Sequence, residues 1–157
     1  MKIKLIVIGK TKSKFLIEGE NEYQKRLKHY CKFSELIIPD IKNGGKLSKK
    51  ELKVKEGNLI LGSIKNNDYV ILLDDKGLTL SSIGFAEFLN KKMVSSSHEL
   101  IFVVGGAFGF SESVYKRANT KLSLSKMTFS HQMVRMIFAE QLYRAFTILK
   151  GEKYHHD

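Results

Sequence analysis

Residues 100–130 read LIFVVGGAFGFSESVYKRANTKLSLSKMTFS, and the fold turns on how this stretch is parsed. Leu100 to Val104 is an unbroken apolar run, the pattern of a strand buried on both faces. It ends in Gly105-Gly106-Ala107-Phe108-Gly109. Three glycines in five residues admit positive φ and a close approach of backbone to a ligand. Ser111 is placed to cap a short helix over 112–119. A second apolar run, Leu122-Ser123-Leu124, leads into the loop Ser125-Lys126-Met127-Thr128-Phe129. Ser130 then caps a long helix predicted over 131–150, with Gly151 at its C′ position. Two glycine- or serine-rich loops thus follow two buried strands, and open α/β sheets bind ligands beyond the carboxyl ends of their strands. The loop is not the dinucleotide fingerprint, because the order is GGxxG and position 129 is Phe rather than an acid. It is not a P-loop either, since no Gly-Lys-Ser/Thr follows at the required spacing. Read without context, such a turn is ordinary turn geometry more often than a cofactor site.

Upstream, the same alternation repeats. Residues 3–8 form a strand, followed by the basic loop Gly9-Lys10-Thr11-Lys12-Ser13-Lys14 and a helix with Leu16, Tyr23, Leu27 and Tyr30 at helical spacing. A second strand over 33–38 stops at Pro39-Asp40. After the loop IKNGGKL (41–47), Ser48 and Glu51 make a capping box for a helix whose expected buried stripe is Leu52, Leu59, Ile60 and Ile64. Asn66-Asn67-Asp68 turns the chain into a third strand, 69–73, which Asp74-Asp75-Lys76-Gly77 closes. Ser81 or Ser82 caps a helix burying Phe85, Phe88, Leu89 and Met93, and Ser95-Ser96-Ser97-His98 returns to Leu100. Five β-α units imply an α/β fold with a mostly parallel sheet and helices on both faces.

The 157 residues make one domain with a real core, and no apolar run reaches transmembrane length. The N-terminus lacks the apolar length and cleavage site of a signal peptide. A single cysteine, Cys31, excludes an internal disulfide and fits a packed hydrophobe in a cytoplasmic protein. The net charge of +11 points to a polyanionic partner. A lysine-biased composition explains part of it, for 23 of the 27 basic residues are Lys. Three of the four arginines, Arg117, Arg135 and Arg144, nevertheless fall in the C-terminal third. The guanidinium offers a rigid fork for phosphate or carboxylate that an ammonium does not.

IFVVGGAFGF, LSLSKMTFSHQMVRMIFAEQLYRAF and the tail GEKYHHD resemble the ribosomal large-subunit pseudouridine N3-methyltransferase family (RlmH). That family belongs to the knotted SPOUT class of S-adenosylmethionine enzymes. The opening MKIKLIVIGKTK, the internal EYQKRL and KEG extend the match over nearly the whole chain. The resemblance implies one SPOUT domain over 1–157 with a C-terminal trefoil knot, which pattern alone does not suggest. It implies S-adenosylmethionine held by Leu73, Gly105, Gly106, Gly109, Leu124, Ser125, Lys126, Met127, Thr128 and Phe129. Leu73, Leu124 and Met127 would sandwich the adenine, whereas from periodicity alone they read as core. The implied acceptor is N3 of a pseudouridine in helix 69 of 23S rRNA on the assembled ribosome. The implied reaction is an in-line displacement that needs no metal, driven by alignment, proton removal and stabilisation of the base anion.

The residues expected at the reacting base are Glu140, Arg144, Arg135, Tyr154 and His155. Glu140 and Arg144 are spaced i,i+4, which also suits a plain surface pair worth about 0.3–0.5 kcal/mol. Arg135 would hold phosphate or the base's carbonyl oxygens. Tyr154 and His155 lie in a tail that would normally fray, but they match the family, where the tail helps form the RNA pocket. Tyr154 would stack on a base and His155 relay a proton. His131 reads as a loop-packing residue, and His156 has no role. The family has proline after the donor loop where this chain has Ser130, which loosens the loop and supplies a cap. The last helix is apolar on more than one face, which suits a homodimer, as SPOUT enzymes are, without any membrane partner. Three other readings remain: a SPOUT enzyme acting on tRNA, a non-catalytic ribosome-associated RNA-binding factor, and a flavin- or nucleotide-binding domain. Binding of S-adenosylmethionine separates the last two from the first.

Overall fold

A computed structural model describes residues 1–95 and 98–156. Among the described residues, five strands and five α-helices alternate. They are β1 (Lys2–Ile8), α1 (Lys14–Leu27), β2 (Lys32–Ile38), α2 (Lys49–Gly62), β3 (Tyr69–Thr79), α3 (Ser82–Ser95), β4 (Leu100–Val104), α4 (Glu112–Arg117), β5 (Thr120–Ser123) and α5 (Met133–Leu149). The return expected at Ser95-Ser96-Ser97-His98 lies partly outside the described residues. The strands form one all-parallel sheet in the order β2-β1-β4-β3-β5. No helix among the described residues is long and apolar enough to cross a membrane.

Side chains alternate between the two faces of the sheet. Ile3, Leu5, Val7, Ile71 and Phe102 meet α1, α3 and α5 through Leu27, Phe85, Leu89, Phe138 and Leu142. Ile6, Ile8, Val70, Leu72, Ile101 and Val103 meet α2 and α4 through Ile60 and Val114. Central β4 is buried at every position, which is why its sequence is uniformly apolar. Cys31 is buried in the first of these cores, as a packed thiol should be.

Most elements fall where the pattern puts them, and the exceptions have physical causes. Asp74-Asp75-Lys76-Gly77 does not close β3. The strand continues to Thr79, and both Leu73 and Leu78 pair with Leu122, so the four intervening residues form an irregularity within the ladder. A turn-like composition is overridden here by pairing with β5. In α2, Leu59 is exposed and Leu52 only half-buried, while the inward residues are Glu56, Gly57 and Ile60. Helix α5 starts at Met133, two residues later than expected. Ser130 still serves its first turn, its Oγ accepting from the Met133 N–H at 3.1 Å and its carbonyl from the Val134 N–H at 3.1 Å. Gly151 adopts φ +66° just past the helix end.

Helix α5 lies between α1 and α3, and every one of its residues is buried or half-buried within the single chain. Its hydrophobicity is therefore largely accounted for by intrachain packing.

Candidate active site

Three chain segments converge beyond the carboxyl ends of β3, β4 and β5 around a cavity of about 530 Å³. The first is the end of the regular β3 ladder, Leu73 to Lys76. The second is the turn Gly105 to Gly109, closed by a hydrogen bond from the Gly109 N–H to the Gly106 carbonyl at 3.1 Å. The third is the loop after β5 as far as His131. Leu73, Gly105, Gly106, Gly109, Leu124, Ser125, Met127, Thr128 and Phe129 all line the cavity. Lys126, expected with them, does not.

Hydrogen bonds within the lining hold the loop after β5 and tie it to β3. Ser125 Oγ accepts from the Met127 N–H at 3.0 Å, and the Ser123 hydroxyl donates to the Ser125 carbonyl at 2.7 Å. The Thr128 hydroxyl donates to Asp75 at 3.2 Å, so the loop after β5 is tied to the irregular part of β3. Of the three glycines in the turn, only Gly109 has positive φ, at +84°. Gly105 sits in a crowded place instead, since a Cβ would stand 3.1 Å from the Phe110 ring and 3.3 Å from the Gly109 backbone. Leu73 and Leu124 are half-buried, and Met127 is 77% exposed, placed at the rim rather than packed in the core.

Asp74 and Tyr115 also line the cavity, and pattern reading did not single them out. The Tyr115 phenol donates to Asp74, and burial followed by that bond pushes its pKa above the usual tyrosine range. The signal available was Asp74 itself, a carboxylate at the carboxyl end of a buried strand. His131 lines the cavity as well. Burial, then the nearby Arg135, lowers its pKa and favours the neutral imidazole.

Glu140, Arg144, Tyr154 and His155 form one cluster. Arg144 donates to Glu140 Oε1 through Nε at 3.0 Å and Nη2 at 2.6 Å. The Tyr154 hydroxyl donates to the same oxygen at 3.1 Å and lies 3.3 Å from the Tyr23 hydroxyl. Arg144 Nη1 is 3.3 Å from His155 Nδ1, and its guanidinium sits over the Tyr154 ring at 4.8 Å. Burial, together with Tyr23 and Glu140, raises the Tyr154 pKa, so the phenol keeps its proton. The tail is further pinned by the Tyr30 hydroxyl, which donates to Glu152. This cluster does not line the cavity of its own chain.

Arg135 does not join the cluster. It is 1% exposed, donating to the carbonyls of Gly9 at 2.7 Å, Ile8 at 2.6 Å and His131 at 3.0 Å. The Nη1 that serves Gly9 is also within 3.3 Å of the Thr11 hydroxyl, which in turn donates to buried Glu20. The guanidinium is a tie between the end of β1 and α5, turned inward to backbone carbonyls and away from solvent. The expectation of a substrate contact at Arg135 is corrected accordingly.

A family model described as "Predicted SPOUT methyltransferase" matches residues 1–155. The chain belongs to the SPOUT methyltransferase family. Among its relatives named "Ribosomal RNA large subunit methyltransferase H", that of Flavobacterium johnsoniae is 58% identical over 156 residues, covering 99% of both chains. That of Parabacteroides distasonis is 56% identical over 157 residues, covering 100% of both. A solved structure of a probable methylase family protein from Haemophilus influenzae superposes with a TM-score of 0.54 at 12% identity. It covers 97% of this chain and 67% of that one, a likeness of fold alone. In this SPOUT methyltransferase, both loops that follow buried strands border the one cavity.

Proposed function

We propose that this protein transfers a methyl group from S-adenosylmethionine to N3 of a pseudouridine in helix 69 of 23S rRNA, acting on the assembled ribosome in the cytoplasm as a homodimer with a C-terminal trefoil knot. The observation that carries the reading is the convergence of Leu73, the Gly105–Gly109 turn and the loop 124–129 on one cavity in a SPOUT chain. The cavity's size suits a nucleoside-sized ligand. Its residues fit the donor: Leu73 and Leu124 offer apolar faces to a flat adenine, and Gly105 lines the cavity without a side chain, leaving backbone to meet the methionine portion. Met127 at the rim is free to fold over the ring.

Bound S-adenosylmethionine supplies an electrophilic methyl group on sulfur. The chain's own part is alignment and proton handling. The pseudouridine N3–H is a weak acid and must lose its proton to become a nucleophile. Arg144 is oriented by two bonds to Glu140, which leaves its cation available to stabilise the developing base anion. His155, its Nδ1 3.3 Å from Arg144 Nη1, would take or relay the proton. Tyr154, held neutral, orients the tail and offers its ring face to the base. Because Glu140, Arg144, Tyr154 and His155 stand apart from the cavity of their own chain, a complete site requires the cavity of a second subunit.

The test is mass spectrometry of rRNA from a deletion strain, with add-back of purified protein and S-adenosylmethionine to its ribosomes. Loss of one methyl from a helix 69 pseudouridine, restored by the protein, is expected. An unchanged modification profile overturns the substrate assignment.

A further inference from the structure

Glu56 is a glutamate in the wrong place for stability. It sits on the inward side of α2 and is 5% exposed. Among the described residues its Oε2 is buried with no hydrogen-bond partner. A buried carboxyl oxygen left without a partner carries an uncompensated desolvation penalty. Such a group in a native protein marks either strain or function.

The direction in which it points decides between these. A Cβ on Gly106 would lie 2.3 Å from Glu56 Oε2 and 2.9 Å from Oε1. Both oxygens therefore press against the back of the turn whose front lines the cavity. The next residue reinforces the approach, since a Cβ on Gly57 would stand 2.4 Å from the Ser111 hydroxyl that caps α4. Glu56 and Gly57 together seat α2 against both ends of the segment 106–111. Burial, then the neighbouring Asp40, pushes the Glu56 carboxyl above its ordinary range. The mechanism above makes no use of this group.

We propose that Glu56 is a positioning residue for methyl-donor binding: its carboxyl hydrogen-bonds the backbone of the Gly105–Gly106 turn when the donor is seated, fixing the peptide orientation that the donor requires. This rests on the S-adenosylmethionine reading of the cavity. Glu56 touches the turn and not the ligand, so its effect is on affinity transmitted through backbone.

Calorimetry with S-adenosylmethionine and thermal melts of wild type, Glu56→Leu and Glu56→Gln test it. Leucine fills similar space without polar atoms, so Glu56→Leu is expected to melt at or above wild type while binding the donor about tenfold more weakly. Glu56→Gln, which keeps a donor and an acceptor, should bind within about threefold of wild type. Equal donor affinity in wild type and Glu56→Leu overturns the inference alone. No binding by wild type overturns the cofactor reading and this inference with it. Should Glu56→Leu fail to fold, protein labelled with ¹³C at glutamate carboxyls answers the same question. The Glu56 signal, assigned by its loss in Glu56→Gln, is expected to move on adding donor, and an unmoved signal overturns the proposal.

Discussion

At the scale of single residues, Arg135 shows what a chemistry-first reading overlooks. An arginine in a basic C-terminal segment reads as an RNA contact. The periodicity held a contrary signal, because Arg135 shares its stripe with Phe138, Ala139, Leu142, Ala145 and Phe146, all buried. Glu140 and Arg144 lie off that stripe and remain partly exposed. The phase along the helix, more than the residue type, separates a core tie from a surface group. Arg135→Ala strands the carbonyls of Ile8 and Gly9 in the interior, so a loss of about 3–5 kcal/mol is expected from urea unfolding. A variant as stable as wild type would show that the tie is dispensable. Cys31 gives a pH test. Burial pushes its thiol from about 9 up to about 11. The folded thiol stays neutral while the unfolded one ionises, so its stabilising effect is complete below pH 9 and is lost as pH rises toward 11. The stability margin of wild type over Cys31→Ala should shrink across that window, and a constant margin would contradict the shift.

At the scale of elements, β4 was legible because burial on both faces leaves an unbroken apolar run, and α5 because apolar residues recur along most of its length. The course of β3 beyond Leu73 was not. Asp-Asp-Lys-Gly carries turn chemistry, and only the non-local partner β5 decides otherwise. The same irregularity brings Asp74 and Asp75 to the cavity, so the misread stretch is also where the site gains its carboxylates. Gly77 is what makes the pairing possible. A Cβ there would lie 2.6 Å from the Lys121 carbonyl carbon and 2.7 Å from the Leu122 nitrogen, both backbone atoms with little room to yield. Gly77→Ala is therefore expected to prise β5 from β3, at about 1–3 kcal/mol. Because the loop 124–129 hangs from β5, the same change should weaken donor binding. Guanidinium unfolding together with calorimetry checks both, and loss of neither would mean the ladder absorbs a methyl group.

At the scale of the whole molecule, alternation of strands and helices fixed the fold class, while the strand order β2-β1-β4-β3-β5 depends on crossovers that no local pattern encodes. The candidate site divided the same way. Residues on either side of one loop were legible together, but that Glu140, Arg144, Tyr154 and His155 would gather away from their own chain's cavity was not, because a helix face does not declare its partner. That separation makes the subunit arrangement testable through activity. One variant is disabled in the cavity by Gly105→Val, where bulk would meet Phe110 and Gly109. Another is disabled in the cluster by Arg144→Ala. Each alone should methylate ribosomes poorly. Mixed and allowed to exchange, they should recover about one quarter of wild-type activity, since half the dimers are hybrids and each hybrid carries one intact site. If instead each chain's cluster served its own cavity, every site in the hybrid would hold one lesion, and mixing would restore nothing. Native mass spectrometry near twice the 17.9 kDa chain mass, where the two variants' different masses resolve the hybrid from either parent dimer, would establish that subunits exchanged, so that a null result speaks against the shared site and not against mixing.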